Sequence, residues 1–233
     1  NSPYDGTSVS WMIRANEGDT GATLLIYPTV GISGVMRGFG TTETTLAPWN
    51  AYGEYAYLSE RITSVETSKK IICNGSLEAM FAGCSNIESM DLSSFEFIGP
   101  EPGVLGSGTT SMREMFRGLE KIEYVGYDPD AHAGPSIILP SVADGSACTD
   151  TSYMFAEMSH LELVDLHGFN GATGMKMNHM FEGAFQQKDK QNRVIMANIA
   201  TGAGADLSYM FAGTADRPLY IKDVSLVRVG TGD

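Results

Sequence analysis

Few side chains in this sequence could do chemistry, and they are scattered. The four histidines are His132, His160, His167 and His179. His160 and His167 flank one apolar segment and could lie near each other, but no third ligand stands at a matching spacing, so no metal site is expected. Asp128, Asp130 and Asp144 bracket a polar stretch. Their oxygens would suit calcium if they clustered, whereas a solvated loop accounts for them without it. Glu157 with Asp165, or Glu88 with Asp91, could supply the two carboxylates of glycoside hydrolysis. In a chain with 28 acidic residues, such spacing without a cleft is not a mechanism. Cys73, Cys84 and Cys148 form no C-x-x-C pair. They read either as buried thiols or, for Cys73 and Cys84, as a bridge in an oxidising compartment. No P-loop, H-E-x-x-H or EF-hand spelling occurs. The expectation is no enzyme, with no catalytic residue, no cofactor and no metal.

Composition narrows the class. The 233 residues allow one domain or two small ones. The net charge of −13 opposes a phosphate backbone and an anionic lipid surface, so neither nucleic acid nor membrane is an expected partner. No apolar run is long enough to cross a bilayer. Asn1-Ser2-Pro3 lacks the basic and apolar regions of a signal peptide, which is expected to lie outside this segment together with any anchor. Glycine, with 27 residues, is well above its ordinary share and has no collagen period, which points to many tight turns.

The elements that must position any site announce themselves by repetition. Met-Phe occurs at 80–81, 115–116, 154–155, 180–181 and 210–211, with spacings of 35, 39, 26 and 30 residues. Four positions before each Met stand Ser76, Ser111, Asp150, Lys176 and Asp206, mostly N-cap types. Three positions after each Met stand Gly83, Gly118, Glu157, Gly183 and Gly213, where glycine suits a left-handed helix end. The pattern predicts a short helical turn carrying each Met-Phe. An apolar strand follows: 87–92, 122–125, 161–166, 194–196 and 219–221. Such a unit cannot cover its own apolar face, so stacking would pair the strands and bury a Met-Phe column.

Ser76-Leu77-Glu78-Ala79-Met80-Phe81-Ala82-Gly83-Cys84, continuing through Ile87, Met90-Asp91-Leu92-Ser93 and Phe95, resembles the leucine-rich repeats of BspA-like bacterial surface proteins. The resemblance covers about residues 76 to 225. The segment before it also resembles what precedes such repeats: Trp11-Met12-Ile13, Gly21, Leu24 to Pro28, Pro48-Trp49 and Ile62 to Val65. Residues 9–14 and 23–27 read as strands joined by a turn, and Trp49, Tyr52 and Tyr55 recur at helical spacing. Only Cys84 keeps the cysteine that regular units carry after the glycine. Insertions at 99–108 and 128–148 break the period and are expected to protrude as loops.

The fold expected is α/β: a short leucine-rich-repeat-like solenoid, a parallel strand ladder with short helical turns, in residues 73–233. A β-rich cap in residues 1–72 would precede it. The resemblance implies an extracellular module on a bacterial cell surface that binds a host or bacterial surface protein or a glycan. A structural spacer presenting another module is the alternative, and a glycan-active enzyme a weaker one. If loops do the recognition, Tyr127 and His132 on the longer insertion are the candidate ligand-binding residues.

Overall fold

The computed structural model describes residues 8–40, 46–52, 54–100, 108–140, 143–172, 174–197 and 204–227. Its strands are β1 (Val9–Ala15), β2 (Ala22–Pro28), β3 (Ser33–Phe39), β4 (Ile62–Thr67), β5 (Lys70–Leu77), β6 (Ser89–Asp91), β7 (Phe95–Phe97) and β8 (Thr109–Ser111). There follow β9 (Tyr124–Gly126), β10 (Ser136–Ile138), β11 (Ala143–Gly145), β12 (Leu163–Leu166), β13 (Phe169–Gly171), β14 (Arg193–Ala197) and β15 (Asp223–Val227). Among the described residues the helices are the single turn α1 (Ala56–Ser59) and a 3-10 turn at Glu17–Asp19.

The chain builds three hydrogen-bonded walls around one apolar interior. The first is a nine-stranded sheet in the order β1-β2-β4-β6-β10-β9-β12-β14-β15, antiparallel only between β1 and β2. Its inward register row is apolar in every strand: Ile13, Leu24, Val65, Met90, Ile137, Val125, Val164, Val194 and Val224. Period-2 alternation sends the neighbours of these residues outward. The second wall is the parallel path β13-β11-β7-β5-β3, with β8 also on β5. The third wall is made of the Met-Phe segments themselves.

This third wall overturns the expected α/β solenoid with helical turns. The Met-Phe segments are not helical. The residue before each Met is left-handed in all five copies: Ala79, Glu114, Tyr153, His179 and Tyr209, with φ of 51°, 56°, 58°, 57° and 55°. Gly83, Gly118, Glu157 and Gly183 close four of the turns at positive φ as well. A chain bracketed this way cannot wind as an α-helix. Its N–H groups alternate instead. Met80, Ala82 and Cys84 donate locally to Leu77, Ala79 and Phe81, three residues back. Ala79, Phe81 and Gly83 donate sideways, to the carbonyls of Arg113, Met115 and Arg117 in the next copy, at 2.8, 3.0 and 2.9 Å. The same sideways trio recurs from Glu114, Phe116 and Gly118, from Tyr153, Phe155 and Glu157, and from His179, Phe181 and Gly183.

The residues taken for N-caps do bond backbone N–H groups, but two positions on rather than at a helix start. The side chains of Ser76, Ser111, Asp150 and Asp206 accept from the N–H of Glu78, Arg113, Ser152 and Ser208. Ser76, Ser111, Asp150, Lys176 and Asp206 are themselves bridged in parallel, one to the next. Stacking the turns stacks their phenylalanines. Phe81, Phe116, Phe155, Phe181 and Phe211 form a near-parallel column with centroids 6.1, 5.7, 5.5 and 5.4 Å apart.

The longer insertion does not protrude as a loop. It threads β10 between β6 and β9, and β11 between β7 and β13. The reason is its own apolar side chains: Ile137, Leu139 and Cys148 are buried. Of the shorter insertion, residues 101–107 lie outside the described residues. The last strand also differs, forming at Asp223–Val227 rather than at 219–221. Helical spacing at Trp49, Tyr52 and Tyr55 yields helix only from Ala56. Trp49 instead caps the column: it meets Trp11, Phe39 and Phe81, and its indole N–H donates to the Met80 carbonyl at 3.0 Å.

Phe155 is fully buried between Phe116 and Phe181. Phe155→Ala is expected to cost about 3–5 kcal/mol in urea melts, and a loss below about 1 kcal/mol would contradict a buried column.

Candidate functional site

A left-handed residue on the turn wall directs its side chain away from the interior. The column before each Met is therefore an outer surface from the second copy on, Glu114, Tyr153, His179 and Tyr209, while Ala79 in the first copy is buried beneath residues 49–52. Neighbouring copies sit one hydrogen bond apart, so their side chains meet face to face. The Tyr153 and His179 rings stack at 4.6 Å and 5°, and His179 and Tyr209 at 4.9 Å and 16°. Arg113 and Arg117 place their guanidiniums over the Tyr153 ring, 5.2 and 5.7 Å from its centroid. Tyr209 ends the column with 68% of its surface exposed.

Charge on this wall is paired. Glu114 bridges Arg113 at 2.9 Å and Arg117 at 3.3 Å, and Arg117 reaches on to Glu157 at 2.9 Å. That hydrogen bond to Glu157 pushes the Arg117 pKa above its ordinary value. His179 Nδ1 meets Glu182 Oε2 at 2.9 Å. The carboxylates of Glu114 and Glu157 are both held by Arg117, which suits them to hold a ligand's polar groups in place.

Beside these charges lies a cleft of about 300 Å³. Its floor is made of small residues, the buried Ala79 and Ala82 with Gly83 of the first turn and Gly118 of the second. Glycine is needed at 83 twice over. Its φ is +74°, and a Cβ there would stand 2.6 Å from the Ala51 Cβ. Leu46 and Tyr52 wall the cleft on the cap side, and Glu114, Arg117 and Glu157 on the other. A second cleft of about 280 Å³ lies between Trp11, Met36, Phe39, Pro48 and Trp49, with an apolar lining.

The residues picked out from sequence go elsewhere. His132 Nε2 lies 2.8 Å from the acceptor Glu123 Oε2, and its ring stacks on Tyr124. Tyr127 meets His167 edge to face at 5.2 Å; its hydroxyl is buried without a hydrogen bond, and burial pushes its pKa up. Residues 128–134 thus lie over the outer face of the nine-stranded sheet, leaving Tyr124 only 1% exposed although its register position points outward. His160 and His167 take separate partners, the Glu120 carbonyl and Asp165. Asp128 turns back on the Asp130 N–H, while Asp144 lies on β11 in the second wall. Glu157 is on the turn wall and Asp165 on β12, whereas Glu88 pairs with Lys121 and Asp91 with the Ser93 N–H. Among the described residues no three His, Cys, Asp or Glu are grouped to hold a metal.

Arg113, Glu114, Arg117, Tyr153 and Tyr209 were not expected at a site from the sequence, and His179 figured there only among the four histidines. Their signal was one register away from the positions used to align the repeats. The residue just before each Met varies as Ala, Glu, Tyr, His, Tyr, while the Met-Phe pair that follows it stays constant. Compared with known proteins, the chain matches no family model, no curated protein and no solved structure.

All three cysteines are free and buried, so Cys73 and Cys84 are not bridged. Burial pushes the Cys84 and Cys148 thiols up to about 12 and raises Cys73 as well. Iodoacetamide at about pH 8 is expected to label none of them in the native protein and all of them in urea, read by intact mass. Labelling of the folded protein would contradict that burial.

Proposed function

We propose that this chain is a non-catalytic binding module of an extracellular bacterial surface protein, with the turn wall as its contact face. The carrying observation is the ordered stack Tyr153–His179–Tyr209, continued by Arg113 and Arg117, on a wall whose backbone is hydrogen-bonded copy to copy. Tyrosine and arginine supply large contact areas that lose little freedom when already ordered. Further support comes from the resemblance of the Met-Phe units to those of BspA-like surface proteins, and from a net charge of −13 that disfavours polyanions. The partners proposed are proteins or glycans of host or bacterial surfaces.

The test is binding of the purified domain to immobilised matrix proteins, epithelial cells and bacterial cells. Tyr209→Ala is expected to weaken saturable binding about tenfold. Lys70→Ala, on the second wall, is expected to leave it unchanged. Equal binding by both variants would move the contact off the turn wall. No binding by the folded domain to any surface would favour the spacer.

A further inference from the structure

Resting on that binding reading, we infer that the cleft between the cap and the second turn is a subsite for one neutral sugar unit of a glycan. The sugar sits against the Tyr52 ring and is hydrogen-bonded by Glu114, Arg117 and Glu157. Three features of the cleft select this ligand.

The first is size. At about 300 Å³ the cleft stands at the lower end of small-molecule pockets, roughly 300–1,000 Å³. That volume takes a single sugar ring rather than a nucleotide or a folded loop. Gly83 and Gly118 have no side chain to fill it, and Ala79 and Ala82 add only methyl groups.

The second is the platform. Tyr52 is 74% exposed, and its ring edge lies 3.9 Å from where a Gly83 Cβ would stand. It therefore flanks the cleft instead of filling it. A ring held in this way offers an apolar face to the C–H side of a pyranose while the rest of the cleft stays polar.

The third is charge, and it decides among ligands. The guanidiniums of Arg113 and Arg117 are matched by the carboxylates of Glu114 and Glu157 in one connected network. These four charges cancel, so an ionic ligand gains no net Coulomb attraction to offset its desolvation, and an anion also faces a chain of net charge −13. A neutral polyol meets no such penalty. Its hydroxyls can donate to carboxylate lone pairs and accept from guanidinium N–H groups already ordered in the free protein. Glu157 engages Arg117 through Oε1, leaving Oε2 for the ligand.

The experiment is titration of the full chain, followed by ¹⁵N chemical shifts, with tetrasaccharides that differ in charge. Maltotetraose, cellotetraose and chitotetraose are neutral, tetragalacturonate is anionic and deacetylated chitotetraose is cationic. The inference expects at least one neutral probe to bind saturably and to shift the Gly83 and Gly118 amides. Tyr52→Ala should weaken that binding about tenfold, and Glu157→Gln, which keeps an acceptor oxygen, by less. Binding confined to a charged probe would overturn it, as would shifts mapping elsewhere. If no saccharide binds but protein or cell surfaces still do, the sugar subsite is refuted and the binding module stands. If neither binds, both are refuted.

Discussion

The sideways hydrogen bond between Met-Phe turns is the constraint on which the rest depends. A helical turn would use its N–H groups internally and leave neighbouring copies held only by side chains. Here every second N–H crosses to the next copy, three per turn across four successive pairs of turns. Each such bond contributes about 0.5–1.5 kcal/mol net, and a buried N–H left without it would cost about 1–3 kcal/mol. Against this stands one non-glycine left-handed residue in most turns and two, Tyr153 and Glu157, in the third, each costing about 1–3 kcal/mol. Three bonds outweigh one or two strained residues, so the strained turn is the stable one when copies stack. The cap continues the same bonding at the first turn. Trp49 and Ala51 donate to the Met80 and Ala82 carbonyls, and the Asn50 amide to that of Ala79.

The same geometry makes the surface. Left-handed Tyr153, His179 and Tyr209 turn their side chains outward, and hydrogen-bond spacing sets them ring on ring. Inside, the same spacing sets the phenylalanine column and buries Met80, Met115, Met154, Met180 and Met210. Core and outer face are two sides of one backbone wall. Substituting Tyr153, His179 or Tyr209 therefore leaves the core closed, and the cleft lies where the first two turns carry Ala79, Ala82, Gly83 and Gly118.

The repeat was legible in the sequence because Met-Phe and its flanking residues keep fixed offsets through five copies. What the turns do was not. Serine or aspartate before an apolar pair and glycine after it signal a helix start and stop, yet the same residues serve a turn that bonds sideways. Local preference cannot separate the two, because the deciding carbonyls lie in another copy 25 to 40 residues away. The longer insertion hid β10 and β11 for a similar reason: three-residue strands carry too little alternation to register, and only the gaps between β6 and β9 and between β7 and β13 make them pair. The choice of Tyr127 and His132 assumed a protruding loop, whereas that segment lies against Tyr124.

The most direct test of the turn wall is detection of its hydrogen bonds by NMR scalar coupling across them, in a uniformly ¹³C,¹⁵N-labelled chain. The account predicts that the Phe155 amide nitrogen couples to the Met180 carbonyl carbon, and Phe116 to that of Met154, the partners found at 2.9 and 3.1 Å. Coupling of Phe155 to the carbonyl of Thr151, four residues back, would mean an α-helical turn and would contradict the account.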